Sequence, residues 1–183
     1  MSIKNEIRAD ELRSIAPTLC AGDKILLSGT VYTARDAAHK RLFELLDNGK
    51  PLPFKINDAL IYFAGPTPAK NGMVIGSCGP TTSSRMDKFS PRLLDLGLCA
   101  MIGKGARNNE VVEAIIRNKA LYLCAIGGAG ALACKCITEC EVIAFEELGC
   151  ESVKRLTFDR FPLYVGIDTK GNSIFDNEKR NKF

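Results

Sequence analysis

Residues 99–145 have the sequence CAMIGKGARNNEVVEAIIRNKALYLCAIGGAGALACKCITECEVIAF, in which apolar runs alternate with amphipathic stretches. Three short apolar runs predict strands, at 99–102, 121–126 and 141–145. The stretches between them predict helices, at 108–118 with helical spacing of valine and isoleucine, and at 130–137 with small residues. A strand–helix–strand–helix–strand order predicts a parallel layer of strands covered by helices.

The rest of the chain adds strands and helices on both sides of this segment. Further strands are predicted at 23–33, 60–64, 73–77, 152–158, 163–168 and 173–175. Further helices are predicted at 11–16 with Asp10 as the N-cap, at 35–46, and from Thr82 towards Leu98. No internal repeat or low-complexity linker interrupts the pattern. The sequence therefore predicts a single α/β domain over 1–183, with a partly parallel sheet, flanking helices and extra strands at the ends.

Composition narrows the class of protein. Of 183 residues, 46% are apolar and 25% charged, with a net charge of +4, which excludes a disordered or collagen-like chain. Basic residues are spread along the chain apart from 179–182, so no nucleic-acid partner is expected. No apolar run approaches the roughly 18 residues of a membrane span, so no membrane partner is expected. The N-terminus lacks the pattern of a secretory signal, which predicts a cytoplasmic protein.

Eight cysteines without a secretory signal favour reduced thiols over a disulfide framework. Cys134, Cys136 and Cys140 lie close together in the sequence and raise the question of a metal or iron–sulfur site. Their C-x-C-x3-C spacing matches neither the paired C-x2-C of zinc sites nor the runs of ferredoxins. We therefore expect no metal ligands in this chain.

Residues 79–87, GPTTSSRMD, follow a predicted strand with four hydroxyl residues and an arginine. Backbone N–H groups at a helix start favour anions, and Arg85 can pair with a carboxylate or phosphate through two hydrogen bonds. The same pattern is also typical of a capped helix start with a surface arginine. An anion site and a simple cap are both compatible with these residues.

Two further segments place cations after predicted strands. Lys104 lies between two glycines after strand 99–102, where open α/β sheets bind ligands, although the P-loop spacing is absent. Arg35 lies at a strand-to-helix junction, with Asp36 and His39 placed to orient it. A solvent-exposed lysine in a tight turn, and a histidine that completes a local hydrogen-bond network, are the alternative interpretations.

A glycine-rich stretch at 126–133 follows a predicted strand and fits G-x-G-x-x-A. Gly128 and Gly130 could therefore belong to a nucleotide-binding module, with Glu146 or Glu147 as the ribose-binding acid. Little chain remains after this motif for the rest of a dinucleotide-binding half-domain. Glycines also permit close packing that is unrelated to nucleotides.

Taken in order, the segments TARDAAHKR, AGP, GPTTSSRMD, IGKG, GGAGAL and GIDTKGN resemble the beta subunit of class I, iron–sulfur fumarate hydratase. The tartrate dehydratase beta subunit shares this pattern, which extends over roughly 22–175. The resemblance implies a swivelling β/β/α domain and the reversible hydration of fumarate to L-malate. It also implies an iron–sulfur alpha subunit as partner, whose three cysteines hold a [4Fe-4S] cluster, and activity only in the complex.

The resemblance also implies roles for individual residues. Arg35, Arg85 and Lys104 would bind the substrate carboxylates, and Thr81 would abstract the proton beside one of them. Thr82 would contribute to substrate binding, with Asp87 helping to shape the same loop. L-tartrate is the alternative substrate, and the doubled serine that follows Thr82 bears on that choice. A nucleotide-binding module and a purely structural partner are the alternatives outside this family.

Overall fold

The computed structural model describes residues 5–125 and 130–176 of the chain. The strands are β1 (Asn5–Arg8), β2 (Lys24–Thr33), β3 (Leu60–Tyr62), β4 (Ala100–Gly103), β5 (Leu121–Ala125), β6 (Ile137–Ala144) and β7 (Val153–Ile167). The α-helices are α1 (Leu12–Ile15), α2 (Asp36–Asp47), α3 (Ser90–Asp95), α4 (Asn109–Asn118) and α5 (Gly130–Lys135). Three 3-10 helices are also present, at Ala16–Thr18, Ser83–Met86 and Glu146–Glu151.

The strand pairings form a ring. On one edge of β2, both β1 and β3 pair in parallel, and β3, β4 and β5 continue the parallel layer. The long strand β7 pairs antiparallel with β5 and also with the other edge of β2, where Lys24 lies opposite Tyr164 and Tyr32 opposite Arg155. The pairings therefore run from β2 through β3, β4, β5 and β7 back to β2, and β6 is added to β7.

Side chains alternate between two hydrophobic clusters, as strand geometry requires. On β3, Leu60 and Tyr62 belong to the inner cluster, which also contains side chains of β1, β2 and β7. Ile61 belongs to the outer cluster, where Leu42 of α2 and Ile115 of α4 cover the parallel strands. The parallel layer is thus buried on both faces, which explains why its strands are short, continuous apolar runs.

The structure confirms the mixed α/β class and the partly parallel sheet flanked by helices. The finer swivelling description stays a prediction, as does the single domain over 1–183. No helix in the described ranges is long and apolar enough to cross a membrane.

Several predicted elements differ from the structure. Residues 73–77 form a loop, because Met73 and Val74 are exposed and have no sheet face to cover. The predicted strands 152–158 and 163–168 are one strand, β7. Arg160 adopts a positive φ of 52°, and its amide donates to Ser28 Oγ on β2, which keeps β7 attached to β2 at this irregularity. The first helix has Glu11 rather than Asp10 as its N-cap, since Asp10 pairs with Arg8.

A buried ion pair joins the start of α3 to the start of α4. Arg107 Nε donates to Asp87 Oδ1 at 2.6 Å, with the Arg107 side chain fully buried and that of Asp87 10% exposed. The other Asp87 oxygen accepts from the backbone N–H of Asn108, and Arg107 also donates to Ser90 Oγ. The ring faces of Phe63 and Tyr122 lie within about 5 Å of the guanidinium. This network joins the segments that precede α3 and α4 to side chains of the sheet region.

We predict that Asp87→Ala lowers the free energy of unfolding by about 3–5 kcal/mol, because it leaves the buried Arg107 guanidinium without its counterion. The matched control is Asp95→Ala, which removes an exposed pair with Arg117, both side chains being nearly half exposed. That control is expected to cost less than about 1 kcal/mol. Urea unfolding of the three proteins makes the comparison, and equal losses for the two variants would contradict the prediction.

Candidate functional site

The predicted site residues follow the carboxyl ends of neighbouring parallel strands. Arg35 comes two residues after β2, and Lys104 comes directly after β4. Between them, β3 leads into residues 63–82, whose last part returns to the same edge of the sheet. Parallel strands end at one common edge, which is where open α/β sheets bind ligands. The fold therefore brings the three sequence segments together.

The threonine loop, which comprises residues 79–87, begins as an additional extended segment beside β3 and β4. The Thr81 amide donates to Phe63 O at 2.7 Å, and Thr82 forms a parallel bridge with Lys104. The Ser83 amide then donates to Lys104 O at 3.0 Å. Thr81 is half-buried and Thr82 exposed, so both hydroxyl residues lie at the surface of this edge.

Gly103 allows the threonine loop to approach β4. A Cβ atom on Gly103 would lie 1.9 Å from Ser83 Oγ, so a side chain at this position would displace the loop. Ser83 Oγ accepts from the Lys104 amide at 3.0 Å and lies 2.9 Å from the Tyr122 hydroxyl, which donates to Gly105 O. Ser83 is thus buried in a structural network, and of the two serines only Ser84 is exposed.

The three predicted cations have different surroundings. The side chain of Lys104 is exposed and makes no ion pair with the described residues. Arg85 is about half exposed, and its Nε donates to Asp36 Oδ1 at 3.0 Å, at the first residue of α2. This contact leaves the two terminal amino groups of Arg85 without a partner in the described part of the chain. A carboxylate can accept two parallel hydrogen bonds from an arginine.

Arg35 is the most constrained of the three. Its Nη2 lies 3.3 Å from Glu151 Oε1, and both side chains are 22% exposed. A Cβ on Gly65 would lie 2.9 Å from Arg35 Nη1 and 3.3 Å from Cys150 O, so the arginine packs across the glycine. Arg35 Nε is buried without a hydrogen-bond partner. Glu151 and the backbone at Gly65 therefore hold the guanidinium from two sides.

His39 supports the segment that carries Arg35 rather than facing a ligand. The ring is fully buried and stacks on Phe89, and its Nδ1 lies 2.8 Å from Arg35 O. Its Nε2 is buried without a partner. Burial, the largest effect, lowers the pKa of His39 to about 4, so the ring is neutral near pH 7. His39 contacts the Arg35 backbone carbonyl, as the alternative interpretation of a local hydrogen-bond network predicts, whereas Asp36 contacts Arg85.

The half-buried cysteines do not fit an iron–sulfur cluster. Cys134 Sγ donates to Ile75 O at 3.1 Å, and Cys134, Cys136 and Cys140 pack against the inner hydrophobic cluster. Burial raises the pKa of the Cys136 and Cys140 thiols, which disfavours the thiolate that a cluster requires. Within 5–125 and 130–176, no three histidine, cysteine or acidic side chains are gathered as a metal site requires.

The glycine-rich motif can be followed only in part, because Gly128 lies outside the described residues. Gly130 begins α5, and its carbonyl accepts from the Cys78 amide at 3.2 Å. Glu147, one of the proposed ribose-binding acids, pairs instead with Arg41 at 2.7 Å. These contacts give Gly130 and Glu147 structural roles, and they supply no support for a nucleotide site.

Three clefts in the described part of the chain lie beside the predicted site. One of about 420 Å³ lies between the end of β1 and the start of β3, at the far end of the sheet. Two others, of about 450 Å³ and 230 Å³, open along residues 66–77, which lead into the threonine loop. None of these three is lined by Arg35, Thr81, Arg85 or Lys104. Their exposure places them at the surface: Lys104 is exposed, Arg85 is about half exposed, and Arg35 and Thr81 are partly buried.

Sequence reasoning missed two residues that hold the site together. Glu151 pairs with Arg35 from more than a hundred residues away, and no local pattern indicates this contact. In the sequence, Tyr122 is an ordinary residue of a buried apolar strand. Only its hydroxyl contacts show that it joins Ser83 of the threonine loop to Gly105, which follows Lys104.

We predict that His39 makes the folded chain acid-sensitive. The folded-state pKa of His39 is lowered to about 4 from its ordinary 6.5, so below pH 6.5 the unfolded chain binds a proton that the folded chain does not. The free energy of unfolding should fall by about 3 kcal/mol between pH 6.5 and 4 from this residue alone. His39→Gln should lack this fall in stability. The measurement is the free energy of unfolding of both proteins at each pH. Parallel pH profiles would rule the effect out.

Comparison with known proteins identifies the family. The family model described as Fumarase C-terminus matches residues 2–178. The L(+)-tartrate dehydratase subunit beta of Escherichia coli is 36% identical over 179 residues, which cover 95% of this chain and 86% of that protein. The putative L(+)-tartrate dehydratase subunit beta of Methanocaldococcus jannaschii is 36% identical over 171 residues, covering 90% and 88%.

The anaerobic class I fumarate hydratase of Escherichia coli is 40% identical over 154 residues, which are 83% of this chain but 28% of that protein. The chain thus spans less than a third of the fumarate hydratases that it matches. The relatives' names are those of hydro-lyases, and the resemblance stated from the motifs is confirmed. With a family model that extends over nearly all of its residues, this chain belongs to the Fumarase C-terminus family.

Proposed function

We propose that this chain is the beta subunit of a hydro-lyase that hydrates fumarate reversibly to L-malate, at a site shared with an alpha subunit. The observation that carries the proposal is the convergence of Arg35, Arg85, Lys104 and Thr81 at one edge of the sheet. Together they offer three cations and a hydroxyl to a small dianion at the surface. The names of the relatives support the reaction class.

The cations account for recognition of a dicarboxylate. Arg85 presents two terminal amino groups beyond its contact with Asp36, which suits a carboxylate that accepts two hydrogen bonds. Lys104 supplies a second positive charge without an acidic neighbour among the described residues. Fixed cations also stabilise the additional negative charge that develops on a carboxylate when the adjacent carbon loses a proton.

Thr81 is the proposed base at that carbon. A free hydroxyl is a weak base, so its conjugate alkoxide must be stabilised by positive charge nearby. Arg85 follows in the same loop and Lys104 is bridged to the neighbouring Thr82. The backbone bond from the Thr81 amide to Phe63 O fixes the residue without using its hydroxyl. Thr82 is exposed beside it and is proposed to contact substrate.

The partner completes the site. The tartrate dehydratase relatives of similar length are named beta subunits, a name that implies an alpha subunit. The fumarate hydratases are more than three times as long as the matched region. We assign the [4Fe-4S] cluster to this alpha subunit, because the cysteines of this chain do not fit it, and we place the complex in the cytoplasm. The steps given to this chain are binding, orientation and abstraction of the carbon-bound proton. Protonation of the leaving hydroxyl group, which departs as water, is assigned to the alpha subunit.

L-tartrate is the second candidate substrate. The observation that favours it is length, since the chain covers 86–88% of the tartrate dehydratase beta subunits. Both candidates are four-carbon dicarboxylates and would use the same cations. Assay of the complex with L-malate and with L-tartrate under oxygen-free conditions separates the two.

We predict that Arg85→Ala lowers kcat/KM for the dicarboxylate by about 100-fold, because a charge-assisted pair with a carboxylate is worth up to about 3 kcal/mol. The matched control is Arg92→Ala, an exposed arginine that pairs with Asp47 away from the site. That control should stay within about twofold of the unsubstituted complex. Co-purification of the alpha subunit confirms assembly, and an active, assembled Arg85→Ala complex would refute the site.

Substitutions of Thr81 test its role as the base. Thr81→Val keeps the shape but removes the hydroxyl, so kcat should fall by about 10²–10⁴ with KM little changed. Thr81→Ser keeps the hydroxyl and should retain most of the rate. The measurement is exchange of the substrate's carbon-bound hydrogen with heavy water. Undiminished exchange in Thr81→Val would exclude Thr81 as the base.

A further inference from the structure

The start of α2 brings together two acidic side chains that each contact a predicted substrate-binding arginine. Asp36, the first residue of the helix, pairs with Arg85. Glu151, from the Glu146–Glu151 segment, pairs with Arg35 through Oε1. The second Glu151 oxygen, Oε2, accepts from the Ala37 amide at 2.9 Å. One carboxylate thus touches both the arginine and a free N–H group of the helix N-terminus.

This double contact suits a residue that orients a cation without cancelling its charge. The N-terminus of an α-helix carries partial positive charge and unpaired N–H groups. Because one oxygen of Glu151 is engaged with this N-terminus, part of its negative charge is offset by the helix. Arg35 is therefore aimed by an anion that the helix already stabilises, and its positive charge stays available to a substrate carboxylate.

The segment that carries Glu151 is itself held in place by Lys154. The Lys154 side chain is buried, and its ammonium group donates to Gly149 O at 3.0 Å, Cys150 O at 3.3 Å and Ser152 Oγ at 2.6 Å. Burial lowers the pKa of Lys154, yet these oxygens provide partners for the charged form. The ammonium group thereby holds two carbonyls before Glu151 and one hydroxyl after it in place.

The same segment is tied to the end of β2. Thr33 Oγ1 donates to Ser152 O at 3.3 Å and accepts from the Lys154 amide at 3.1 Å. Thr33 lies two residues before Arg35, so the arginine and its acidic partner are attached to one short piece of strand. Arg41 adds a contact from the helix to Glu147. Both ends of the Arg35–Glu151 pair are therefore anchored to the same frame.

We propose that Glu151 is the positioning residue for Arg35, and that the Glu146–Glu151 segment thereby sets the affinity of the site for a dicarboxylate. The inference rests on the proposed function, since it assigns Arg35 to substrate binding. Glu151 itself does not touch the substrate. Its effect on catalysis passes through Arg35 alone.

The test uses the complex of this chain with its alpha subunit and the substrate that the complex turns over, L-malate or L-tartrate. Glu151→Ala should raise KM about tenfold with kcat changed less than about threefold, because a misaimed binding group weakens substrate binding. The KM of Glu151→Gln should lie between those of the unsubstituted complex and Glu151→Ala, since the amide oxygen of glutamine can still accept one hydrogen bond. The matched control is Glu147→Ala, which loosens the same segment without touching Arg35 and should leave KM unchanged.

A double-substitution cycle with Arg35→Met separates positioning from general stabilisation. If Glu151 acts through Arg35, Glu151→Ala should change KM less than about twofold in the Arg35→Met background. Additive effects of the two substitutions, or an unchanged KM in Glu151→Ala, would overturn the positioning role while leaving the Arg35 site in place. An unchanged KM in Arg35→Met would instead show that Arg35 does not bind substrate, and would remove the proposed role of both residues.

Discussion

Gly103 has no side chain, and Ser83 occupies the space that one would fill. This close approach lets the threonine loop bond to Lys104, and the Tyr122 hydroxyl joins Ser83 to Gly105. Because β4 lies beside β3, and β3 beside β2, the same edge also receives Arg35. The candidate site therefore depends on parallel strand pairing together with one position at which only glycine fits.

Charge balance at this edge follows from the start of α2. Its first turn and the Glu146–Glu151 segment supply one carboxylate each to Arg85 and Arg35, whereas Lys104 is left without an acidic partner among the described residues. The paired arginines are oriented, and the unpaired lysine keeps the surface positive. An exposed edge with this character suits a small dianion that is enclosed only when a second surface covers it.

Local sequence patterns predicted the strands and helices whose own residues show which face is buried. The apolar runs around β4, α4 and β5 alternate with the period of each element, so their existence and order follow from the sequence. The closure of the ring of strands does not follow from the sequence, because it depends on the pairing of β2 with β7, which lie far apart in the chain. Residues 159–162 separate two predicted strands in the sequence analysis, yet one strand passes through them by a local irregularity opposite Ser28.

The candidate site shows the same division. Arg35 and Lys104 could be named as candidates because each follows a predicted strand, and Arg85 because it lies in a hydroxyl-rich segment. The role of Thr81 came from the resemblance to the family. Glu151 could not be named, since its role comes from a contact between distant segments and from the buried Lys154 that holds it. Gly103 was visible as a glycine beside Lys104, but its close approach to Ser83 required coordinates. Sequence thus indicates which side chains are candidates for the chemistry, and the structure shows which residues contact them.

The central claim is that this chain supplies the carboxylate-binding half of a dicarboxylate hydro-lyase. Its most direct test is oxygen-free affinity capture of the chain from its own cells, followed by assay of the captured material with L-malate and L-tartrate. The account predicts co-capture of an iron–sulfur subunit and turnover of one substrate by the complex, with no turnover by either subunit alone. Full activity in the partner without this chain, or capture with no such subunit and no turnover, would contradict it.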